Sequence, residues 1–427
     1  MYDWANSAYV TTVAVGVLPA YFASVVVGPD GLRIGNIETS ASAVWAFVVA
    51  LSSFITFMFA PVLGAIADFS AAKKRFLLAF AYGGALFAML LYFCGSGDVY
   101  RTLFLFIAAQ VGYIGANVFY DSFITDVASP EKMDWISGKG YSYGYIGGGL
   151  QFAFALALVA GHDYVGITES TAARIAMLTA GMWWAGFSLF TLKYLREDGP
   201  ESLTRRGVGE YVTIGISRTI ETARRVGQFR QLLLFLIAFM LYNDGIQTVI
   251  DVAAIYGTEE LRLSTTTLML TLLIIQIIAT FGALLFGWLA SRIGAKRAIM
   301  LSLALWSGVV IYAYFIRTAA EFFGLGVVVG IVLGGSQALS RSFYGSMVPA
   351  GASAEFFGFY SVFSRFSAIW GTTTFGIVRQ WLGSSRLAIL SLIFFFVAGL
   401  VLMAFVDERK AREAKASGLF GSQYSRP

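Results

Sequence analysis

Four charged side chains lie inside segments that are otherwise apolar. Asp3, Asp121, Asp244 and Arg341 each interrupt such a segment. A charge inside a bilayer costs about 2.5–3.5 kcal/mol on insertion scales, so charges at these positions are expected to have a function. In apolar surroundings, carboxylates and a guanidinium can bind a charged solute, exchange a proton or pair with one another. These four residues are therefore the first candidates for the chemistry of the chain.

The most deeply placed of these acids is Asp244. It lies about fifteen residues into its segment, near the middle of a helix long enough to cross a bilayer. We expect Asp244 to take up a proton in one conformation and release it in another. Asp251 lies seven residues later on the same helix face, where it could relay the proton or mark the outer end of a wet stripe. The alternative is that Asp244 is permanently ionised and pairs with a Lys or Arg, for which Arg365 is a candidate.

Asp121 and Arg341 carry opposite charges in similar local sequences, 220 residues apart. Arg341 could bind the carboxylate of a zwitterion such as an amino acid, while an aspartate binds its ammonium group. The alternative is a direct Asp121–Arg341 ion pair that closes a gate. Asp121 is also a candidate for proton exchange, and Arg365 could instead bind an anionic group.

Neutral polar residues flank these charges. Their amide, hydroxyl and phenol groups could line a solute cavity, or could act as hydrogen-bonding contacts between helices. Together with the charged residues, the candidates for substrate binding are Asp3, Asn6, Ser7, Tyr9, Asn117, Asp121, Tyr242, Asp244, Gln247, Thr248, Gln337 and Arg341.

The composition excludes most classes of soluble protein. Of the 427 residues, 58% are apolar and 13% charged, and the mean hydropathy is +0.73. A typical soluble protein has about 45–50% apolar and about 25% charged residues. One cysteine, Cys94, and one histidine, His162, leave no internal disulfide, no zinc cluster and almost no basis for Ser-His-Asp catalysis. We therefore expect no metal and no cofactor.

Twelve apolar segments must position the candidate residues. Each is long enough for a membrane helix and too uniformly apolar for the alternating pattern of a barrel strand. The sequence predicts an all-α, multi-pass integral membrane protein. The predicted spans cover residues 3–27, 40–67, 76–94, 101–127, 137–160, 171–195, 229–257, 265–290, 298–316, 322–348, 356–381 and 386–406.

A polar break at residues 196–228 divides the chain into six spans and six spans. This predicts a first bundle at 1–195, a cytoplasmic linker at 196–228, a second bundle at 229–407 and a cytoplasmic tail at 408–427. Within the linker, Val212, Ile216 and Ile220 recur every four residues, with Arg218 on another face. That pattern favours a short amphipathic helix on the membrane surface, and a solvated charged linker is the alternative.

The basic residues are distributed unevenly between the two sides of the predicted spans. If the N-terminus is cytoplasmic, 21 of the 30 Lys and Arg residues lie on the cytoplasmic side and seven on the outer side. This bias predicts that both termini are cytoplasmic, in what we expect to be a bacterial inner (plasma) membrane. Orientation accounts for the net charge of +5 without a nucleic-acid partner. The expected partners are the lipid bilayer and a small-molecule substrate, and the chain is expected to be a monomer.

Three local sequences recur in the same order in both halves of the chain. They argue for a duplicated six-helix unit, and so for two pseudo-symmetric bundles of the kind in which a substrate binds at the midplane. The pairs are Asp3-x-x-Asn6-Ser7 with Asp244-x-x-Gln247-Thr248, Asn117-x-x-x-Asp121-Ser122-Phe123 with Gln337-x-x-x-Arg341-Ser342-Phe343, and Gly64-x-x-x-Asp68 with Gly287-x-x-x-Ser291.

The layout of six plus six spans and the Gly64-x-x-x-Asp68 loop resemble the major facilitator superfamily. Within it, the chain resembles the autophagy-related vacuolar effluxer branch almost from end to end. The resemblance implies a twelve-helix facilitator in which helices 1, 4, 7 and 10 line a central cavity. Fungal relatives are associated with the release of amino acids from the vacuole. The motifs that carry the branch resemblance are the stretch from Tyr2 to Tyr9, the stretch from Tyr242 to Thr248, Ser340-Arg341-Ser342 and the stretch from Phe356 to Tyr360.

Two basic loops resemble the superfamily's conformational latch. The first departs from the pattern because it lacks the Arg and Gly after Asp68, and the second has Ser291 where Asp is usual. Helix 5 carries the glycine motif Gly140-x-x-x-Gly144-Tyr145-x-x-Gly148-Gly149. It resembles the antiporter signature of drug-exporting facilitators, with Tyr145 in place of its Pro, which gives slight support to export, while close helix packing through Gly-x-x-x-Gly is the favoured alternative. The candidate ion-pair or gating residues are Arg365, Asp68, Lys73, Lys74, Arg75 and Arg292.

The sequence therefore predicts a secondary active transporter that works by alternating access. We expect it to move a small organic solute, with an amino acid and efflux favoured, and to use a proton gradient. A drug or organic-cation/proton antiporter is the alternative within transport. A primary pump is disfavoured because the sequence has no nucleotide-binding Gly-x-x-x-x-Gly-Lys-Ser/Thr loop. An intramembrane enzyme is the alternative of another class, but the sequence has no His-Glu-x-x-His motif, paired Asp motif or Ser/His couple, and we expect no enzymatic activity.

Overall fold

The computed structural model describes residues 1–28, 32–34, 37–197, 208–225, 229–349 and 351–416. Residues 198–207 and 226–228 of the predicted linker and 417–427 of the predicted tail lie outside the described residues.

The described chain is almost entirely helical. We number the helices α1 to α14 in chain order. They are α1 (Tyr2–Val27), α2 (Ala41–Ser70), α3 (Lys73–Leu90, extended by a 3₁₀ turn at Leu91–Phe93), α4 (Val99–Ser122, extended by Ile124–Val127), α5 (Met133–Ala160), α6 (Glu169–Tyr194), α7 (Val208–Arg225), α8 (Arg230–Glu259), α9 (Thr265–Ile293), α10 (Ala295–Phe315), α11 (Ala319–Met347), α12 (Ser353–Leu382), α13 (Ser385–Ser391 and Ile393–Phe405) and α14 (Glu408–Ala416).

The twelve predicted spans correspond to α1–α6 and α8–α13, with ends displaced by only a few residues. Among the described residues, eleven of these helices are long and apolar enough to cross a membrane. The twelfth, α12, has 30 residues, which is about 45 Å of helix. The prediction of an all-α, twelve-helix membrane protein is confirmed.

Helix α1 is irregular in a way that hydropathy does not predict. Two of its stretches, Tyr9–Val17 and Phe22–Val27, are π-helical. After α1, two three-residue strands, β1 (Leu32–Ile34) and β2 (Ile37–Thr39), pair antiparallel. Long π-helical runs are rare and often mark functional positions.

Contacts divide the chain into two compact units. The first comprises Met1–Ala60, Ala71–Tyr120 and Tyr143–Glu201. Its interior includes an aromatic cluster in which the rings of Tyr9 and Trp184 lie 5.3 Å apart and Tyr9 and Tyr113 lie 5.5 Å apart. Trp184 is fully buried, so large aromatic rings make up part of the packed interior of this unit.

The second unit comprises Pro61–Ser70, Asp121–Ser142 and Ser202–Pro427. It therefore contains the last turns of α2 and the start of α5 together with α7–α14. One continuous core of buried apolar residues runs through it, from Ile124 and Met133 to Trp306 and Phe396. Trp306 and Phe396 stack with their rings 5.5 Å apart.

Several helix ends in the second unit have recognisable caps. Thr318 and Glu321 form a reciprocal capping box at the start of α11. Asp407 accepts hydrogen bonds from the backbone N–H groups of Arg409 and Lys410 at the start of α14. The bond from Lys410 is the main reason that the pKa of Asp407 lies below its ordinary value.

Candidate functional site

In the first unit, the polar residues of α1 pair with α4. Tyr120 donates to the carboxylate of Asp3 at 2.5 Å, and the Asn6 amide donates to the Asn117 side-chain oxygen at 2.6 Å. Asp3 and Asn6 are buried. Three of these four residues are predicted substrate-binding residues, and the structure brings them together as contacts between two helices.

Two glutamines extend this polar row deeper into the unit, and the sequence interpretation missed both. Tyr9 donates to Gln110 at 3.0 Å, and Thr12 donates to Gln151. Gln110 and Gln151 are buried within apolar helices. An amide in such a position is itself a signal, because an unpaired polar group in hydrocarbon is costly.

Ser7 has a different environment. A Cβ added to Gly144 of α5 would lie 2.9 Å from the Ser7 hydroxyl, and one added to Gly148 would lie 3.1 Å from the Ser7 Cβ. The glycine motif of helix 5 therefore provides a surface on which α1 packs closely.

In the second unit, Asp244 binds the backbone of α12. Its side chain is buried, and both carboxylate oxygens accept from the N–H of Gly371 at 2.9 Å. The adjacent Asn243 donates to the carbonyl of Ser364 at 3.3 Å. Gly371 lies inside α12, where an N–H ordinarily donates to the carbonyl four residues earlier. A side chain inserted into that ladder is a known cause of helix bending.

A glycine is required where α12 passes Asp244. A Cβ at Gly371 would overlap the Thr248 hydroxyl and lie 2.9 Å from Asp244 Oδ1. Thr248 is fully buried, and among the described residues its hydroxyl has no hydrogen-bond partner. The sequence interpretation missed Gly371, because the need for glycine arises only from the approach of another helix.

The remaining polar candidates of α8 point in different directions. Tyr242 is buried and hydrogen-bonds to Ser340 of α11 at 2.6 Å. Gln247 is half-buried and Asp251 is exposed. Asp251 lies two turns after Asp244 on the same side of α8, but Asp244 is buried and Asp251 is exposed.

Asp121 and Arg341 form a direct ion pair, with Arg341 Nη1 3.0 Å from Asp121 Oδ1. Arg341 also donates from Nε to the Ser137 hydroxyl at 3.0 Å and from Nη2 to the Ser137 carbonyl at 3.2 Å. Its guanidinium lies 4.4 Å from the centre of the Tyr141 ring. The Arg341 side chain is 4% exposed and that of Asp121 is 21% exposed, so solvent reaches the pair from the carboxylate side.

The other candidates on α11 and α12 are less defined. Gln337 and Arg365 are both half-buried on their helices. Both side chains have interaction partners. The hydrogen-bond donor that the structure gives for the Asp244 carboxylate is the Gly371 N–H, in place of the predicted ion pair with Arg365.

Asp68 reaches the first turn of α12. It is buried, and its two oxygens accept from the N–H groups of Ala354 at 3.2 Å and Glu355 at 2.9 Å. A carboxylate at a helix N-terminus satisfies free N–H groups and interacts favourably with the helix dipole. Gly64, one turn earlier, touches the Ala354 backbone so closely that a Cβ would overlap its carbonyl oxygen. We call these four residues the α2–α12 corner.

The basic residues after Asp68 make a second kind of contact. The carboxylate of Glu197 accepts from the backbone N–H groups of Lys73 at 2.7 Å and Lys74 at 3.0 Å. In return, Lys74 Nζ donates to the Leu195 carbonyl at 2.6 Å, just after the end of α6. This reciprocal clamp joins the start of α3 to the end of α6. Arg75 is exposed.

The same clamp recurs at the start of α10. Glu408 accepts from the backbone N–H of Lys296 at 3.3 Å, and Lys296 Nζ donates to the carbonyls of Ala404 at 2.8 Å and Val406 at 2.6 Å. Arg292 is exposed and lies over the Trp288 ring at 5.6 Å. The repetition agrees with a duplicated unit, and the sequence interpretation missed the two glutamates.

Comparisons with known proteins point in one direction. A family model described as vacuole effluxer Atg22 like matches residues 1–416. YxiO of Bacillus subtilis (strain 168), described as an uncharacterized MFS-type transporter, is 32% identical over 415 residues, which cover 97% of this chain and 95% of that protein. Autophagy-related protein 22 of Kluyveromyces lactis is 27% identical, covering 89% of this chain and 82% of that protein.

Solved structures agree on the fold. The major facilitator superfamily transporter FucP, in its outward conformation, matches with a TM-score of 0.69 at 12% identity, covering 95% of this chain and 97% of that one. The proton:xylose symporter XylE matches with a TM-score of 0.66 at 16% identity, covering 96% and 94%. At these identities the likeness shows the fold alone.

Proposed function

This chain belongs to the vacuole effluxer Atg22-like family of major facilitator superfamily transporters, and from that premise we propose that it exports an amino acid by proton-coupled alternating access. It is a multi-pass membrane transporter with the twelve-helix facilitator fold. The substrate class, the direction of transport and the coupling ion are the proposal.

The Asp121–Arg341 pair carries the assignment of a zwitterionic substrate. An amino acid presents a carboxylate and an ammonium group a few ångströms apart, and the pair presents a guanidinium and a carboxylate in contact. A substrate that enters from the exposed side of Asp121 can exchange its two charges for those of the pair. Buried charges are left paired whether the substrate is present or absent, so the exchange avoids the cost of an isolated charge.

The same pair also supports a gate. The pair joins α4 of the first sequence half to α11 of the second. The α2–α12 corner likewise joins a helix of the first sequence half to one of the second. Both contacts lie on the side that the positive-inside bias predicts to be cytoplasmic. On this proposal, an entering substrate opens the Asp121–Arg341 pair, and the corner holds the cytoplasmic side closed between cycles.

Asp244 supports proton coupling. Its carboxylate is buried and held by the Gly371 N–H, with the unpartnered hydroxyl of Thr248 beside it among the described residues. An ionised carboxylate makes a stronger hydrogen bond to this N–H than a neutral one does. Protonation would therefore weaken the hold of α8 on α12, which links proton uptake to a movement of helices.

Export is supported by the family description, which is that of an effluxer. We place the chain in the bacterial plasma membrane with both termini in the cytoplasm, acting as a monomer without a metal, a cofactor or a nucleic-acid partner. We propose no enzymatic activity, since the family and the relatives found are transporters.

Replacement of Arg341 tests the substrate. Purified protein in liposomes is assayed for counterflow of labelled amino acids, and binding is measured by thermal shift. Arg341→Ala should weaken amino-acid binding at least about tenfold, as expected for a lost charge-assisted bond. The matched control is Arg386→Ala, which removes the Arg386–Glu260 ion pair at 3.2 Å elsewhere in the same unit. Unchanged amino-acid binding in Arg341→Ala would refute the proposal, and binding of organic cations alone would favour the drug-antiporter alternative.

Replacement of Asp244 tests the coupling. Asp244→Asn should abolish uptake driven by an imposed pH gradient, while exchange of substrate across the liposome membrane continues. The control is Asp163→Asn, an acid between α5 and α6 whose side chain is 91% exposed, and Asp251→Asn tests the predicted relay separately. Proton-driven flux that survives in Asp244→Asn would rule out Asp244 as the coupling residue.

A further inference from the structure

The linker helix α7 has one face that packs against the protein. Gly215 lies on the last turns of α2, where a Cβ would be 2.6 Å from the Ile66 side chain and 3.1 Å from the Val62 carbonyl. Thr222 is buried on the same face, two turns later. Because Ile66 belongs to the last turns of a membrane span, this contact fixes α7 at the level where the span ends.

A second face of α7 leaves apolar side chains uncovered. Val212, Ile216 and Ile220 follow one another at four-residue spacing and are 42%, 45% and 47% exposed. On a membrane span such exposure is ordinary, because lipid covers it. The helix α7 is not a candidate span, so its exposed stripe requires another explanation.

The stripe borders a surface groove of about 570 Å³. Ile216 and Ile220 supply its apolar side, and two hydroxyls, the Glu221 carboxylate and the Arg224 guanidinium supply its polar side. The other lining residues are Thr213, Ser217, Glu221 and Arg224. An apolar stripe beside polar groups suits the boundary between acyl chains and headgroups. Glu221 offsets Arg224 within the groove, so the preference for an anion comes from the net positive charge of the surrounding segment.

The charge and the tethering of α7 favour a lipid surface. Residues 193–230 contain eight Lys and Arg against five Asp and Glu, and Arg224 is exposed. Both ends of this segment continue into membrane helices, α6 at Tyr194 and α8 at Arg230, which keep α7 close to the bilayer. A basic segment beside a membrane helix is attracted to anionic lipid by about 1 kcal/mol per residue.

We propose that the stripe and groove of α7 form a binding surface for anionic phospholipid in the adjacent leaflet. Ile216 and Ile220 contact acyl chains, and Arg224, one turn after Ile220, binds the phosphate. The surface is separate from the Asp121–Arg341 pair and from Asp244, and its occupancy does not depend on the identity of the transported solute.

This surface is connected to the α2–α12 corner through Arg218. The Arg218 guanidinium lies 5.9 Å from the Phe69 ring, and its Nε is 3.9 Å from the Glu355 carboxylate, which is fully buried. Glu355 is one of the two residues whose N–H groups bind Asp68. Lipid held on one face of α7 therefore stabilises the position of Arg218 at the corner, so bilayer charge favours the closed corner.

The test labels the stripe and reports contact with lipid directly. A polarity-sensitive fluorophore is attached to Ile216→Cys, and to Glu210→Cys on the polar side of α7 as the matched control. The native Cys94 stays in place because its side chain is fully buried, and the protein without an added cysteine is treated with the fluorophore in parallel as the blank. Each protein is reconstituted in phosphatidylcholine with about one third phosphatidylglycerol and a brominated acyl-chain quencher.

Quenching by the brominated chains should be at least about twofold stronger at position 216 than at position 210. Omission of phosphatidylglycerol, or introduction of Arg224→Gln, should reduce the quenching at position 216. Aqueous iodide that quenches both positions equally, with no effect of brominated chains, would overturn the proposal in favour of a solvated helix. If quenching by the brominated chains stays the same without phosphatidylglycerol and in Arg224→Gln, the assignment of an anionic lipid is overturned. None of these readouts requires transport, so they remain interpretable if the proposed substrate is wrong.

Discussion

Two corners of the second unit occupy corresponding positions in the duplicated sequence. At one, Gly64 and Asp68 at the end of α2 meet the start of α12. At the other, Gly287 near the end of α9 meets the start of α5, where a Cβ on Gly287 would lie 3.3 Å from the Asp134 carbonyl. Both corners use a glycine for close packing. Only the first adds a buried carboxylate.

The residue four positions after the glycine accounts for the difference. Asp68 is buried and binds two N–H groups of another helix. Ser291 is exposed, and its hydroxyl donates to the Trp288 carbonyl of its own helix at 2.6 Å. Both corners thus have the close glycine contact, but only the α2–α12 corner has the buried carboxylate. Both corners lie on the predicted cytoplasmic side, so on the proposed mechanism Asp68 is the charged part of the contact that must open there.

The largest effect should come from filling the glycine of the charged corner. Gly64→Ala places a methyl group onto the Ala354 carbonyl and 2.8 Å from the Glu355 Cα, whereas ordinary contact begins near 3.4 Å. The helices must separate and the Asp68 bonds must lengthen, so we expect substrate exchange to fall at least about tenfold. Gly287→Ala is the matched control at the other corner and should stay within about twofold, because its neighbours can adjust by tenths of an ångström. Equal losses in both variants would show that the corners are equivalent.

A smaller effect should follow from removing the charge alone. Asp68→Asn keeps an oxygen acceptor but loses the ionic part of its interaction with the α12 N-terminus, which is worth about 1–2 kcal/mol in partly buried sites. We expect the melting temperature in detergent to fall and exchange to slow by roughly threefold to fivefold. Ser291→Ala should change neither quantity. A wild-type melting temperature for Asp68→Asn would mean that packing at Gly64, and not charge, holds the corner.

The smallest effects should be shared by the two reciprocal clamps. Lys74→Ala and Lys296→Ala each remove a side chain that donates to carbonyls at a helix C-terminus. Each should cost about 0.3–1 kcal/mol, measured as a small and similar decrease in melting temperature. Loss of transport from one clamp alone would contradict the view that the clamps are structural and that the halves differ mainly at the corners.

Hydropathy predicted the spans because a long apolar helix is the stable form of such a segment in lipid. It also predicted that Asp121 and Arg341 matter, and the ion pair is one of the two arrangements that the sequence allowed. It could not choose between a substrate site and a gate. That choice depends on what enters the pair, which no residue pattern encodes.

The missed residues share a physical reason. Gly371, Gln110 and Glu197 acquire their roles from an element far away in the chain, so their own surroundings carry little signal. The π-helical stretches of α1 were missed for a related reason, since apolar periodicity does not distinguish an i→i+5 turn from an α-turn over so few residues. The roles of Asp3, Asn6 and Ser7 in substrate binding stay predictions.

The reciprocal clamps also set where the polypeptide can be divided. Glu197 supplies the acceptor for the first N–H groups of α3, and Glu408 does the same for α10, although each lies more than a hundred residues along the chain. A fragment that ends before Glu197 would leave the start of α3 without this acceptor, and one that ends before Glu408 would do so for α10. If the protein is expressed as two fragments, the first should therefore extend at least to Glu197. The second should extend at least to Glu408.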